Sequence, residues 1–251
     1  MKLVEKDYFY DAIKNLHKSI KLNDLIISEN IVIIKSYLCQ RKVNEIIDYL
    51  NKLIINNTPA YEEISHKSTN FYRTNFQDHR SFVKGHFHQV NFFPWNKDDF
   101  SFYSLFGDVF NLKNILNGLK EDEFLDGNNP DFVPKISFQF YDSGAGFLER
   151  HTDPVGSHQS VVPILSMSSK GEDFISGGLE VEIDGKWHIV DDYVESGDLI
   201  LMNGDLPHGV QKIDPEKDFN LYGSGRWMGL FAINKVAGSE KAPNSTPLNA
   251  E

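Results

Sequence analysis

The spacing of apolar residues changes character midway along the chain. In the first half, residues 8–20 carry apolar side chains at helical intervals, and the stretch VNEIIDYLNKLII over 43–55 repeats the pattern more cleanly. Two N-terminal helices are expected, with the β-branched run IVIIKSYL (31–38) as a strand leading into the second. Residues 108–120 read as a further helix, with the turn residues of GNNP beyond it. Residues 70–110 are aromatic and polar with little period (NFYRTNFQDHRSFVKGHFHQVNFFPWN). Aromatic rings in such a segment either line a pocket or cap one end of the core.

From Pro134 onward the period shortens. KISFQFY alternates, and SVVPILSM, GLEVEI, KWHIV, GDLILM and RWMGLFAI follow as short strands separated by Gly, Asp, Asn and Pro turns. Many short strands at this spacing argue for a sandwich or jelly roll over a parallel sheet with crossover helices. The expected architecture is mainly β with flanking helices. One catalytic domain spans 1–236, with a helical support layer and substrate loops in 1–130 and a jelly-roll core in 131–236, and a flexible polar tail occupies 237–251.

Composition adds exclusions. Hydrophobic residues make up 40% and charged residues 24%, ordinary for a globular domain. The formal net charge of -11 should repel polyanions, so neither nucleic acid nor an anionic membrane is an expected partner. A single cysteine, Cys39, cannot form an internal disulfide, which suits a reducing compartment. No apolar run approaches the roughly 20 residues that span a bilayer, and charges interrupt the opening MKLVEKDYFYDAIKN where a signal peptide would be apolar. A cytoplasmic location is expected.

The candidate chemistry begins at LERHTDPVG, where His151 and Asp153 are two residues apart and so share one face of a strand. GDLILMNGDLPHGV then delivers His208 after an apolar strand and a turn. Two neutral imidazoles and one carboxylate on one face of an octahedron leave three positions open, as non-haem iron(II) oxygenases require. An isolated HxD is common by chance, so the weight rests on His208 and on Arg226, in GSGRWMGLFAI at the start of an expected core strand. A guanidinium entering a barrel is costly unless an anion meets it, and its planar fork matches a carboxylate.

As an ordered set, HTD, GGLEV, GDLILMNGDLPHGV and GRWMGL resemble the 2-oxoglutarate and iron(II) dependent dioxygenase superfamily, especially its prolyl-hydroxylase-like branch. The resemblance covers about residues 141–233. It implies a double-stranded β-helix of cupin-like type, Fe(II) on His151, Asp153 and His208, and 2-oxoglutarate and O2 as cosubstrates, with Arg226 on the distal carboxylate of 2-oxoglutarate. In YDSGAGFLERHTD, Tyr141 matches a tyrosine of that branch and is expected to face the cosubstrate, the alternative being an ordinary strand-end tyrosine; Gln139, on the same strand face, is a weaker cosubstrate candidate. Two departures matter. Met228 stands where the family often has Ser or Thr to share the distal carboxylate, and the loop between His208 and Arg226 is longer than in the shortest relatives.

Other histidines are weaker candidates. His158 is expected to take a polar or ligand-supporting role, and His86 with His88 form a potential metal pair lacking a carboxylate neighbour in sequence. Gly177 and Gly178 are expected in a turn, and Glu172 and Asp173 in solvent. The implied activity is hydroxylation of a small molecule. Retention of Asp153 favours this over halogenation, since related halogenases typically lack that carboxylate. Residues 71–95, with Arg73, Arg80 and Lys84, are expected to form a lid over an anionic or zwitterionic substrate such as an amino acid derivative. Hydroxylation of a protein or peptide residue is the second reading. A cupin-like metal-binding protein or isomerase is a third, though it offers no reason for a buried Arg226.

Overall fold

Asn15 divides the first helical stretch. Its backbone is extended (φ -140°, ψ 110°), and its side chain accepts hydrogen bonds from the amides of His17 and Lys18. A short strand β1 (Lys2–Val4) and helix α1 (Lys6–Lys14) therefore precede a separate, capped helix α2 (Leu16–Glu29), where the apolar period alone suggests one helix. The computed structural model describes residues 1–60, 64–69, 71–79, 81–154, 156, 158–219, 223–237, 239 and 245–248.

Strand β2 (Ile31–Ile34) and helix α3 (Gln40–Asn56) follow as the sequence predicts. The aromatic stretch is more regular than its composition suggests: it holds β3 (Phe71–Phe76), β4 (Gly85–Phe92), a short α4 (Phe102–Leu105) and the start of α5 (Gly107–Leu116). The remaining strands are β5 (Phe132–Asp142), β6 (Phe147–Thr152), β7 (Val161–Ser166), β8 (Gly178–Ile183), β9 (Lys186–Ile189), β10 (Leu199–Asn203), β11 (His208–Gln211), β12 (Gly225–Lys235) and β13 (Thr246–Pro247). Among the described residues no helix is long and apolar enough to cross a membrane.

The strands order as β1-β2-β10-β7-β12-β5-β4-β6-β11-β8-β9, with β3 on β4 and β13 on β6. Strand β4 is the corner, pairing with β5 through His88↔Phe140 and with β6 through Gly85↔Leu148. The sheet curls there, so that Tyr141, Ile164, Ile200 and Met228 from one side pack with Leu179, Val181 and Val210 from the other. This is the jelly roll, or double-stranded β-helix, expected from the strand pattern.

The alternation of β5 has a particular orientation. Ile136, Phe138 and Phe140 face outward into a helix-side core with Phe102, Phe106, Phe110, Trp227 and Phe231, while Tyr141 faces the barrel interior. Ring contacts Phe102–Phe138 (4.8 Å between centroids) and Phe106–Phe231 (5.0 Å) join the helices to the sheet. Burying such rings removes large apolar areas from water at about 25 cal/mol per Å². Phe92, Phe102, Phe106 and Phe110 thus fill the core. Because helices cover the outer face, the polar members of β5 are turned inward, where they can line a site. The C-terminal stretch is not wholly loose either: Thr246 and Pro247 pair with Thr152 and His151, and the Leu248 amide donates to the Arg150 carbonyl at 2.9 Å.

Candidate metal centre

Antiparallel pairing sets His208 of β11 directly opposite His151 of β6, and Asp153 follows just past the end of β6. The two imidazole centroids lie 4.2 Å apart. His151 Nε2 is 3.6 Å from Asp153 Oδ1, and His208 Nε2 is 3.8 Å from Asp153 Oδ2. Each Nδ1 meets a backbone carbonyl at 2.9 Å, Glu149 for His151 and Leu206 for His208. A carbonyl only accepts, so each Nδ1 carries the proton and each Nε2 lone pair is left toward Asp153. Burial, and then the neighbouring His208, push the His151 imidazole down to about 4, which keeps it neutral and able to ligate. Among the described residues, His151, Asp153 and His208 are the group whose donor atoms converge, all within 4.8 Å of one another.

The barrel floor holds a second charged feature. Arg226 on β12 stands opposite Tyr141 on β5 and is 1% exposed. Its Nε donates to Asp191 Oδ2 at 2.9 Å, whereas Nη1 and Nη2 are buried without an acceptor. The Leu179 amide also donates to Asp191 Oδ2. Gly177 and Gly178 introduce β8 with φ +82° and +120°, and a Cβ on Gly178 would stand 2.5 Å from that Asp191 oxygen. These glycines do more than turn the chain, since the second one admits the carboxylate. Tyr141 Oη donates to Gln139 Oε1 at 2.6 Å, and burial raises the Tyr141 phenol well above its ordinary value. Tyr141 and Gln139 therefore sit on one inward face of β5, with Gln139 opposite Met228 and Tyr141 opposite Arg226.

Asp191 is not legible in the sequence as a partner of Arg226, because no local pattern links a residue after β9 to one on β12. His86 and His88 acquire the carboxylate that their sequence neighbourhood lacks: Asp142 Oδ2 lies 3.3 Å from His88 Nε2 and 4.0 Å from His86 Nε2, and Tyr72 Oη meets His88 Nδ1 at 2.5 Å. These three do not converge as the metal group does. His158 packs against Phe132, ring centroids 4.4 Å apart and tilted by 49°, and is not one of the converging group. Glu172 and Asp173 are exposed as expected. Arg73 lies on β3 opposite Gln89, Lys84 is exposed, and Arg80 lies outside the described residues. Two lysines that the sequence leaves unmarked, Lys113 and Lys135, feel the field of Asp153.

No family model matches the chain, and no curated protein matches it by sequence. Solved structures do match in fold. A prolyl-4-hydroxylase from Pseudomonas putida superposes with a TM-score of 0.53 at 17% identity, covering 85% of this chain and 97% of the other. A prolyl hydroxylase from Trichoplax adhaerens, in complex with a hypoxia inducible factor oxygen degradation domain peptide fragment, gives 0.51 at 16%, covering 91% and 92%. A full-length Neurospora crassa protein in complex with alpha-KG gives 0.58 at 12%, covering 96% and 92%. At such identities the likeness is one of fold. Fold and site together define a prolyl-hydroxylase-like double-stranded β-helix carrying a His-Asp-His group.

Proposed function

We propose that this protein is an iron(II)- and 2-oxoglutarate-dependent oxygenase that hydroxylates a small molecule. The observation that carries the reading is the presence in one barrel of a His-Asp-His group and a buried arginine whose two terminal nitrogens lack acceptors. Iron(II) held by the first, together with 2-oxoglutarate and O2, supplies an oxidant able to place an oxygen atom in a C–H bond. The protein's own part is to hold and orient. His151 and His208 offer neutral Nε2 atoms, and Asp153 supplies the negative charge that a divalent cation needs. Arg226 anchors the distal carboxylate of 2-oxoglutarate through Nη1 and Nη2, while Asp191 fixes Nε. Tyr141 and Gln139 line the space beside it, in keeping with the cosubstrate role expected for them.

A small substrate is favoured by the C-terminal strand. Thr246 and Pro247 lie along the edge of β6 beside His151, and Ser245 Oγ donates to Asp153 Oδ1 at 2.9 Å. An extended peptide would compete with this segment for the same ground. The Neurospora protein has been solved with alpha-KG and thymine, whereas the Trichoplax enzyme was solved with a peptide, so both substrate sizes occur on this fold. A cupin-like isomerase leaves the vacant guanidinium nitrogens unexplained. Strands β2 and β4 pair into the main sheet, which supports residues 1–236 acting as one catalytic unit. The exposed, unpaired Cys39 is compatible with a cytoplasmic setting. The test is anaerobic titration of 2-oxoglutarate into protein loaded with Fe(II). Binding that weakens by about 10- to 100-fold in Arg226→Ala supports the reading; a metal-loaded protein that leaves 2-oxoglutarate and its analogues unbound refutes it.

A further inference from the structure

Two side-chain amides on the inward face of β4 lack partners. Gln89 and Asn91 are 4% and 1% exposed, yet Gln89 Oε1 and Asn91 Oδ1 are buried without a hydrogen bond. Their direction follows from Phe87, two residues before Gln89, whose ring packs on Tyr141 inside the barrel with 5.2 Å between centroids. Gln89 stands opposite Gln139 and Asn91 opposite Ser137, and residues so paired share a face. The other end of the Gln89 amide, Nε2, donates to Ser137 Oγ, whereas Asn91 makes no side-chain hydrogen bond to any described residue. Leucine or methionine would fill these volumes without stranding a polar atom. A buried polar atom that the fold leaves unpaired calls for a partner from outside it.

Strand register places this row relative to the metal group. The far end of β5 is tied to the chain just after β11: Ser143 Oγ donates to Asp214 Oδ2 and the Gly144 amide to the Ile213 carbonyl, each at 2.8 Å. Gln211 ends β11 on that side, opposite Gly178, and the Arg226 partner Asp191 is held there by the Leu179 amide. His208 lies three residues back along β11, about 10 Å at the usual strand rise. On β5, Gln139 and Ser137 lie about 7 and 13 Å from Tyr141 in the same direction. His208 pairs with Val181, which packs in the interior with Tyr141, so its imidazole faces that interior too. The metal group therefore looks across the barrel at the row of Gln89, Ser137 and Asn91, with Arg226 one level deeper. Leu230, opposite Ser137 and also inward, is only partly buried, so the interior is open at this level.

We propose that Gln89 and Asn91 bind the substrate through an uncharged amide edge, the adjoining N–H and C=O of a primary amide, lactam or imide, presented to the metal group. The inference rests on the oxygenase reading for the word substrate and deepens it; the amide site itself does not depend on that reading. An open carboxamide offers an acceptor beside a donor, and its complement is another amide, which Asn91 can meet with two parallel hydrogen bonds. Gln89 Oε1 then accepts from a further N–H. The stretch 71–95 thus contributes neutral amides fixed on a strand, where a lid of cations over a charged substrate is the expectation from sequence.

Matched probes test this in protein loaded with Mn(II) and 2-oxoglutarate, with binding read from the Mn(II)-induced relaxation of probe protons. The probes are 2-pyrrolidinone and succinimide, their N-methyl derivatives, γ-butyrolactone, and cyclopentane-1,2-diol. The lactam and the imide should bind about 10-fold more tightly than the N-methyl compounds, the lactone or the diol, the scale of one buried hydrogen bond. Asn91→Leu and Gln89→Met should each remove most of that preference while Mn(II) and 2-oxoglutarate affinities, which report the fold, stay as in the wild type. Asn91→Asp, equal in size but without the donor, should lose it as well. Equal binding across the probes, relaxation of none of them, a diol that binds as tightly as the lactam, or a preference that survives in both Asn91→Leu and Gln89→Met overturns the proposal. If the wild-type protein does not bind 2-oxoglutarate but still prefers the lactam through these residues, the oxygenase reading fails and the amide site stands.

Discussion

Arg226 and Asp191 meet in the floor of the barrel, Nε donating to Oδ2 across 2.9 Å, with both residues almost fully buried. The carboxylate satisfies one edge of the guanidinium and leaves the other edge, Nη1 and Nη2, without acceptors. Asp191 thereby fixes the direction in which the fork points. Arg226→Ala should cost about 3–5 kcal/mol in chemical denaturation, the usual penalty for stranding one partner of a buried pair. It should also weaken 2-oxoglutarate binding by about 10- to 100-fold. A stability loss with unchanged 2-oxoglutarate affinity would make the pair purely structural.

Gly178 offers a test that leaves both charges in place. Its φ of +120° disfavours any side chain, and a Cβ there would press on Asp191 Oδ2. Gly178→Ala should lower stability by about 1–3 kcal/mol and weaken 2-oxoglutarate binding by displacing Asp191. Metal affinity, measured in the same protein, should be unaffected because Gly178 pairs with Gln211, at the other end of β11 from His208.

The buried lysine predicts a slope of stability with pH. Lys113 titrates at about 7 in the folded chain against 10.5 in the unfolded one. Between those values the unfolded chain holds a proton that the folded chain lacks, so stability falls as pH drops from 10.5 toward 7 and levels off below. Lys113→Met should therefore be more stable than wild type near pH 7, by on the order of 2 kcal/mol, with the gap closing as pH rises. Denaturation midpoints across pH 6–10 read this out, and parallel curves for the two proteins would contradict it.

The C-terminal segment touches the metal group through Ser245 and Asp153. Removing residues 245–251 should accelerate loss of bound metal to a chelator by about 10-fold, the lower end of the effect of partners that orient a ligand. Equal release rates would show that the contact does not hold the carboxylate.

The metal group can be read from the sequence because its determinants are local. The two-residue period of β6 keeps His151 and Asp153 together, and the turn GDLP sets His208 at the head of β11. Strand pairing then needs only the register His208↔His151 to complete the group. The Asn15 break escapes such a reading because an apolar period does not register a capping side chain. Asp191 and Asp142 escape it for a different reason. Each acquires its role from an element distant in sequence, as when Asp142 on β5 meets His88 on β4. The alternation of KISFQFY carries a usable signal, but its polar face points into the barrel because α4 and α5 cover the apolar one.

The account is tested most directly by the conversion of 2-oxoglutarate to succinate by the purified protein supplied with Fe(II), O2 and ascorbate. Succinate should form in the wild-type protein and be abolished in Asp153→Ala. A protein that binds iron at His151, Asp153 and His208 yet forms no succinate and retains no 2-oxoglutarate would contradict it.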